Sequence, residues 1–295
     1  MQPLWVTGVA FSPDGKTLAS STGNWDEWQT AGEVKLWNVA NGEALATFQG
    51  HANAIGSVKF SLDGNLIAAP GWDKTVRFWD AKTLEPRDIL KLDSGAIQVS
   101  FLPDGHSLAV SEFSGRVSLW NLEKMVRLAT FEGHDKNAHE VTHSPDGSLI
   151  ASAGLDGLVK LWPTSGGAEI RQFPAAGPWT LGVAYLPDGR HILTSRGPNN
   201  SFQMLDVETG QEVRRFAGHT KPVTALAISP DGKQAISGSQ DLTVRIWDIQ
   251  TGEQLREFSG HEKEPRSVAI SPDGRYAVSG AFGKKTTSGI SKPTS

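Results

Sequence analysis

The chain contains no cysteine among its 295 residues, and it has only two tyrosines. The absence of cysteine excludes disulfides, thiolate metal sites and cysteine nucleophiles. An excess of basic residues is also missing, because 28 lysines and arginines stand against 32 aspartates and glutamates. Nucleic acids and anionic membranes are bound through clustered basic side chains, so neither is expected as a partner.

Long apolar runs are absent as well. No window approaches the length that crosses a bilayer, and the chain does not open on a basic segment followed by an apolar stretch. We therefore expect a cytoplasmic protein. The sequence also lacks a glycine-rich phosphate loop, a His-Glu-x-x-His pattern and EF-hand spacing, so no cofactor is expected.

A short turn motif recurs seven times, at offsets of 41 to 49 residues. In its fullest form it reads Ser-Pro-Asp-Gly, and the copies begin at Ser12, Ser61, Leu102, Ser144, Leu186, Ser229 and Ser271. Proline presets φ for a type I turn, aspartate caps it, and glycine takes the left-handed position that closes a hairpin. The period is typical of a repeating unit of four strands.

Alternating apolar residues on both sides of each turn predict strands, as in residues 223–228 and 234–237. A third strand follows and ends in tryptophan in five copies, at Trp37, Trp79, Trp120, Trp162 and Trp247. Residues 254–258 are an example of a fourth strand. A small sheet that is apolar on both faces is unstable alone, so the units must pack side by side around an axis.

Paired residues accompany these strands: Gly50-His51, Gly133-His134, Gly218-His219 and Gly260-His261 before the first, Trp79-Asp80 and Trp247-Asp248 closing the third. In period, turn and pairs the chain resembles the WD-repeat family. The resemblance implies an all-β, seven-bladed β-propeller of four-stranded antiparallel blades over residues 1–283, with a polar tail over 284–295. Several third strands depart from the pattern: Trp37-Asn38, Trp120-Asn121, Trp162-Pro163 and Leu205-Asp206.

The last blade is expected to be incomplete. Residues 1–6 run directly into the first strand, which leaves none for an outer strand of the last blade. Residues 281–290 offer at best a weak third strand without its tryptophan, and 291–295 are polar. We therefore predict a last blade of two or three strands with an exposed edge that another chain could pair with.

Serine, histidine and aspartate align with tryptophan in two repeats. These sets are His134, Ser152, Asp156 and Trp162, and His219, Ser237, Asp241 and Trp247. The combination could indicate a hydrolase, but the resemblance implies a buried hydrogen-bond chain that holds each blade together. A nucleophile needs a cleft and an exposed oxygen, and it would not be copied into two blades. Ala69 and Gly283 break the pattern elsewhere.

His134, His139 and His143 could be read as metal ligands. Residues four apart on a strand lie on one face but about 13 Å from each other, too far to share one ion. His143 also aligns with aromatic residues of other repeats, which favours a packed core histidine. No metal site is predicted.

The resemblance implies that partners bind at the face that carries the loops from the fourth strand to the next first strand and from the second to the third. Aromatic residues align there: Trp5, Trp25, Trp28, Trp72, Phe113, Trp179 and Phe282. Such residues are enriched at binding hot spots. Arg196 and Arg266 on nearby loops could contact an acidic peptide. The alternative is that some of the aromatics, Trp5 and Trp179 above all, pack within the fold.

These patterns predict a non-catalytic scaffold that binds a protein or peptide through its aromatic-rich top face. The main alternative is a docking or sensing propeller split from a larger signalling enzyme such as a protein kinase. An enzyme on a propeller would require an axial pocket with convergent polar groups of perturbed pKa, and the register predicts none.

Overall fold

The computed structural model describes residues 5–24, 26–27, 29–174 and 177–282. Within these ranges, 26 strands form six four-stranded sheets and one two-stranded sheet, all antiparallel. The expected all-β propeller of four-stranded antiparallel blades is thus confirmed for six blades, and the seventh sheet contains two strands. The predicted tail over 284–295 lies outside the described residues.

The first strand of each blade contacts the first strands of its neighbours, in succession around the ring, with the last blade returning to the first. These strands therefore surround the axis. They are β1 (Trp5–Phe11), β5 (Lys59–Phe60), β9 (Ala96–Phe101), β13 (Ala138–His143), β17 (Val183–Tyr185), β21 (Val223–Ile228) and β25 (Pro265–Ile270).

Successive strands lie further out, each paired with the one before it. The second strands are β2 (Thr17–Gly23), β6 (Leu66–Gly71), β10 (Ser107–Glu112), β14 (Leu149–Gly154), β18 (His191–Ser195), β22 (Gln234–Ser239) and β26 (Ala277–Ala281). The third strands are β3 (Val34–Asn38), β7 (Thr75–Asp80), β11 (Arg116–Asn121), β15 (Leu158–Pro163), β19 (Ser201–Asp206) and β23 (Val244–Asp248). The outer strands are β4 (Ala44–Phe48), β8 (Pro86–Lys91), β12 (Val126–Glu132), β16 (Arg171–Pro174), β20 (Glu212–Ala217) and β24 (Gln254–Phe258).

The apolar core lies between blades rather than at one centre. Phe48 of β4 stacks on Trp79 of the next blade with ring centroids 5.0 Å apart, and Phe131 packs on Trp162 at 5.4 Å. Trp79, Trp162 and Phe131 are almost fully buried. Blades 1 and 3 therefore each cover the third-strand tryptophan of the next blade, and a single sheet outside the ring would leave such apolar surface exposed.

The seven turn motifs lie together on one rim of the ring. In blade 1, the Ser12 hydroxyl donates to Asp14 at 2.6 Å, and Gly15 has a φ of 69° that favours glycine. The opposite rim carries the loops between second and third strands and the entries to the first strands, because Trp5 at the start of β1 pairs with Gly23 at the end of β2. This second rim, called the loop rim below, is where the aromatic residues were expected.

Candidate protein-binding surface

A chain of hydrogen bonds crosses blade 6 beneath the loop rim. His219 Nδ1 lies 2.8 Å from an Asp241 carboxylate oxygen, and its Nε2 lies 2.7 Å from Ser237 Oγ. Trp247 Nε1–H donates to the same Ser237 oxygen at 2.8 Å. Blade 4 has the same arrangement, with His134, Ser152, Asp156 and Trp162 joined by contacts of 2.8 to 3.0 Å. The structure therefore brings together both sets of four residues that the sequence aligned.

Burial controls the charge in these networks. Burial lowers the pKa of His134 and His219 below the usual histidine range, although the partner aspartate acts in the opposite direction. Burial alone would raise the pKa of Asp241, but hydrogen bonds from Thr243, a backbone amide and His219 lower it to about 2. The aspartate is thus ionised and the histidine neutral at pH 7. Neutral His219 then donates a hydrogen bond from Nδ1–H to Asp241 and accepts one at Nε2 from the Ser237 hydroxyl.

This geometry is that of a catalytic triad, but the surroundings differ from those of an active site. Ser237 and Ser152 are both 0% exposed, so a substrate has no access to either oxygen. The tryptophan N–H of each blade also donates a hydrogen bond to the serine oxygen. A nucleophile must be exposed and aimed at an oxyanion site. The arrangement instead rigidifies the blade, since buried polar groups that bond one another hold one geometry.

The aspartates also fix the loops of the rim. Asp241 accepts a hydrogen bond at 3.0 Å from the backbone N–H of Thr220, the residue after the histidine. Asp156 and Asp73 do the same for the N–H groups of Asp135 and Ala52, at 3.1 and 2.9 Å. Each aspartate therefore joins the loop that enters its blade to the loop between its second and third strands, and the rim has a rigid base.

Two aromatic pairs lie on the loop rim. Trp72 and Phe113 occupy equivalent loops of blades 2 and 3, and their rings meet edge to face with centroids 4.7 Å apart. Trp5 and Phe282 meet at the boundary of blades 1 and 7 with centroids 4.4 Å apart. All four side chains are half-buried. Each pair therefore both packs internally and presents apolar surface to the solvent.

Three further aromatic residues were expected at the loop rim, and the structure describes one of them, Trp179. Trp179 is half-buried beside Gly197, where a Cβ atom would lie 2.4 Å from the Trp179 carbonyl oxygen. Trp25 and Trp28 lie outside the described residues. The insertion that carries them is anchored on one side by Asn24, whose side-chain oxygen accepts the backbone N–H groups of Asp26 and Glu27 at 3.0 and 3.2 Å.

The two arginines expected at the rim are engaged within the fold. Arg196 is 8% exposed, and its guanidinium donates to Gln203 and Glu212. Arg266 donates to Glu264 at 3.0 Å and lies over the Phe282 ring, with the guanidinium carbon 4.6 Å from the centroid. Burial lowers the pKa of Arg266 below the usual arginine range. Arg266 thus extends the Trp5 and Phe282 pair, whereas Arg196 offers little surface to a partner.

Comparison with known proteins identifies the repeat. The family model described as WD domain, G-beta repeat matches residues 3–38, 42–80, 125–163, 210–248 and 252–286. The chain belongs to the WD-repeat family. These matches confirm the resemblance, and they fall on blades that keep the tryptophan of the third strand or the histidine before the first. Propellers of this family are generally not catalytic.

Two groups of WD-repeat relatives are similar to the chain. The serine-threonine kinase receptor-associated protein of Gallus gallus is 24% identical over 243 residues, which is 82% of this chain and 66% of that protein. The Homo sapiens protein of the same name is 26% identical over 244 residues. The periodic tryptophan protein 2 homolog of Schizosaccharomyces pombe is 30% identical over 129 residues. This match covers 42% of this chain and 14% of that larger relative.

Blade 3 of this WD-repeat protein uses a different network that the sequence interpretation missed. The Ser118 hydroxyl donates to Glu112 at 2.8 Å, and Trp120 Nε1–H donates to Ser118 at 2.9 Å. Glu112 is only 1% exposed, and burial raises the pKa of its carboxyl. The available signal was an acidic residue at the end of an otherwise small and apolar strand, 107–112.

The innermost strands also contain polar groups with perturbed pKa that the register did not predict. Gln98 Nε2 donates to Glu140 Oε1 at 3.0 Å, across blades 3 and 4. Burial raises the pKa of Glu140 to about 7 against the influence of Lys59 and Gln98, and burial lowers that of His139 to about 4. His139 Nδ1 lies 2.9 Å from the Leu181 carbonyl oxygen, and His143 Nδ1 lies 2.8 Å from Ser100 Oγ.

The described part of the chain contains no group of three or more histidine, aspartate or glutamate side chains placed to hold a metal ion. In the same residues no helix has the length and hydrophobicity needed to cross a membrane.

Proposed function

We propose that this WD-repeat propeller is a non-catalytic scaffold that binds a protein or peptide through the aromatic residues of its loop rim. The observation that carries the proposal is the pairing of half-buried aromatic rings, Trp72 with Phe113 and Trp5 with Phe282, on segments that backbone hydrogen bonds hold in place. Large aromatic side chains on a rigid base bury much area on binding at low entropic cost.

The relatives support this class of function. One group is named for association with a serine-threonine kinase receptor, which is a protein partner, and the similarity covers 82% of this chain. The charge balance also fits a protein partner better than a polyanion. The comparisons add nothing in favour of a propeller split from a signalling enzyme, so that alternative is not part of the proposal.

Affinity capture with a matched pair of variants tests the proposal. The test variant combines Trp72→Ala with Phe113→Ala on the loop rim. The control combines Leu62→Ala with Leu84→Ala, two exposed apolar residues in turns of blade 2 on the opposite rim. Quantitative mass spectrometry then compares the proteins retained by each variant and by the wild type.

We expect the rim variant to retain at least about tenfold less of a partner than the wild type does. Truncation of an aromatic hot-spot residue often costs about 2 kcal/mol or more of binding free energy. The control variant should retain the wild-type set, and both variants should keep a cooperative thermal transition. Equal capture by all three proteins would contradict the proposed rim. A collapsed transition for the rim variant alone would show that the pair is core.

A further inference from the structure

A groove opens between blades 3 and 4 on the rim that carries the turn motifs, called the turn rim below. Its volume is about 550 Å³, within the usual size range of ligand pockets. The floor is apolar, because it contains the buried side chains of Leu102 and Leu119. Leu128 of β12, which is 54% exposed, lies on one side, and Thr164 and Ser165 in the turn between β15 and β16 lie on the other. The groove thus separates an outer strand from a turn of the next blade.

The groove carries negative charge without a balancing positive charge. Asp104 and Asp146 line it, and none of the described lining residues is a lysine, arginine or histidine. Both aspartates are exposed. Burial alone would raise the pKa of Asp104, but hydrogen bonds from Ser107 lower it below its usual range, and hydrogen bonds from Ser144 and Ser148 lower the pKa of Asp146. Both carboxylates are therefore ionised at pH 7, and a cationic group is complementary to them.

Between blades 5 and 6, an arginine of the chain itself lies between an outer strand and a turn of the next blade. Arg214 of β20 is half-buried, and its Nη1 donates to the carbonyl oxygen of Thr251 at 2.8 Å. A Cβ atom on Gly252, the next residue of that turn, would lie 3.0 Å from Arg214 Cδ and 3.3 Å from its Cγ. The methylene chain therefore lies along the turn while the guanidinium bonds it. The propeller can thus hold an arginine side chain in a place of this kind.

Blade 3 has alanine at the position of Arg214. Ala129 pairs with Leu119, and Arg214 pairs with Met204, in each case just before the bulge between the third and outer strands. A Cβ atom on Gly166, in the turn of blade 4, would have only the Ala129 Cβ within 4 Å among the described atoms outside its own neighbours, at 3.8 Å. The space that an arginine fills between blades 5 and 6 is therefore left open between blades 3 and 4.

We propose that the groove between blades 3 and 4 binds an arginine side chain of a peptide segment in another protein. The methylene chain packs on the apolar floor, and the guanidinium donates to Asp104 and Asp146. Arginine suits the site better than lysine, because its planar fork of N–H donors can bond two carboxylates at once. The exposed side of Leu128 favours an apolar residue next to the arginine. This site lies on the opposite rim from the loop rim and does not depend on the function proposed there.

A short peptide is the probe for the full-length chain: Ser-Leu-Arg-Leu-Ser, acetylated at its start and amidated at its end. Control peptides replace the arginine by citrulline, which keeps the shape but loses the charge, or by lysine. An NMR titration of isotope-labelled protein follows the backbone amides of Leu128, Gly147 and Ser165. We expect saturable shifts of these amides with the arginine peptide. The citrulline peptide should bind roughly tenfold more weakly, because its hydrogen bonds lack the assistance of charge, and the lysine peptide should also bind more weakly.

An aspartate variant with a matched control locates the charge. Asp104→Asn should weaken the arginine peptide roughly threefold, because it removes one of the two carboxylates. Its amide oxygen can still accept the backbone N–H groups of His106 and Ser107, which Asp104 Oδ1 accepts at 2.9 and 2.8 Å, so the turn is kept. Asp231→Asn makes the same change in the turn motif of blade 6 and should leave the affinity unchanged.

A second variant fills the groove from within the chain. Ala129→Arg places an arginine where blade 5 has Arg214, so it should remove the peptide-induced shifts while the protein keeps a cooperative thermal transition. Ala129→Ser, a small change at the same position, should bind the peptide as the wild type does. If Ala129→Arg does not fold, the three peptides and Asp104→Asn still decide the question.

Four results would overturn the proposal. The first is absence of binding, or equal binding of the arginine and citrulline peptides. The second is equal binding of the lysine peptide, which would make the groove a general cation site. The third is equal binding of free arginine, which would assign the groove to a small molecule. The fourth is a dimer in light scattering that the peptide dissociates, which would assign the groove to a second copy. Capture by the loop rim is unaffected in every case, so the two proposals fail separately.

Discussion

Phe113 of blade 3 places its ring edge to face against Trp72 of blade 2, with centroids 4.7 Å apart. The contact joins two blades above their strands, beside Gly95, where a Cβ atom would lie 2.7 Å from the Phe113 ring. The two rings therefore have a structural role in addition to the binding role proposed for them, and the two roles can be measured separately.

A double-mutant cycle on stability measures the structural role. Trp72→Ala and Phe113→Ala should each lower the free energy of unfolding, and the double variant should lose less than the sum. We expect a coupling free energy of about 1 kcal/mol, the usual value for an aromatic pair beyond its buried area. Urea denaturation of the four proteins gives this value. Strict additivity would mean that the rings do not stabilise each other in solution.

The buried serine of blade 6 should matter for stability. Ser237→Ala leaves His219 Nε2 and Trp247 Nε1 buried without their shared partner. We expect a loss of about 2 kcal/mol in the free energy of unfolding. Ser165→Ala, at an exposed turn position, is the control and should change stability by less than about 0.5 kcal/mol. Similar values for the two variants would show that the network contributes nothing measurable.

Glu140 should make stability depend on pH. Its pKa is raised from 4.5 to about 7 in the folded chain, so the folded state holds a proton that the unfolded state releases between these values. The wild type therefore loses stability as pH rises through this window. Glu140→Gln, which cannot ionise, should be more stable than the wild type at pH 8 by roughly 1 to 3 kcal/mol.

Urea denaturation at pH 4 and pH 8 checks this expectation. The difference between the Gln variant and the wild type should be small at pH 4, where the carboxyl is protonated in both states. A difference that is the same at both pH values would show that Glu140 does not titrate with a raised pKa.

Gly197 tests the packing of Trp179 at the loop rim. Gly197 has a φ of 51°, and an added Cβ atom would lie 2.4 Å from the Trp179 carbonyl oxygen. Gly197→Ala should therefore lower the free energy of unfolding by roughly 2 kcal/mol more than Gly42→Ala. Gly42 has a φ of 73° but no atom within 4 Å of the added Cβ, so it reports backbone strain alone. Equal losses in the free energy of unfolding for the two variants would show that the loop around Trp179 moves to accommodate the Cβ atom without loss of stability.

Much of the fold could be predicted from the sequence because the repeat encodes it locally. The turns fix where strands reverse, so the expected strand at 223–228 is confirmed, as is that at 254–258. The spacing of His219, Ser237 and Asp241 also aligned residues that prove to be within hydrogen-bond distance. In both cases the strand positions and the hydrogen-bond distances depend only on residues of the same blade.

Contacts between blades could not be predicted in the same way. The hydrogen bond from Gln98 to Glu140 depends on how far neighbouring innermost strands stand apart, which no repeat specifies. Arg196 looked available because it lies on a loop, yet its partner Glu212 begins the outer strand of the same blade. Sequence alignment of blades gives positions along each strand, but the direction of a long side chain depends on its surroundings.

The aspartates beneath the rim bond backbone N–H groups rather than side chains of the entering loops. The residue that supplies this N–H is Ala52, Asp135 or Thr220 in different blades, so its side chain is free to vary. Any residue except proline can keep the bond. Recognition residues on these loops can thus be diversified, by evolution or in a designed library, without weakening the attachment that holds them.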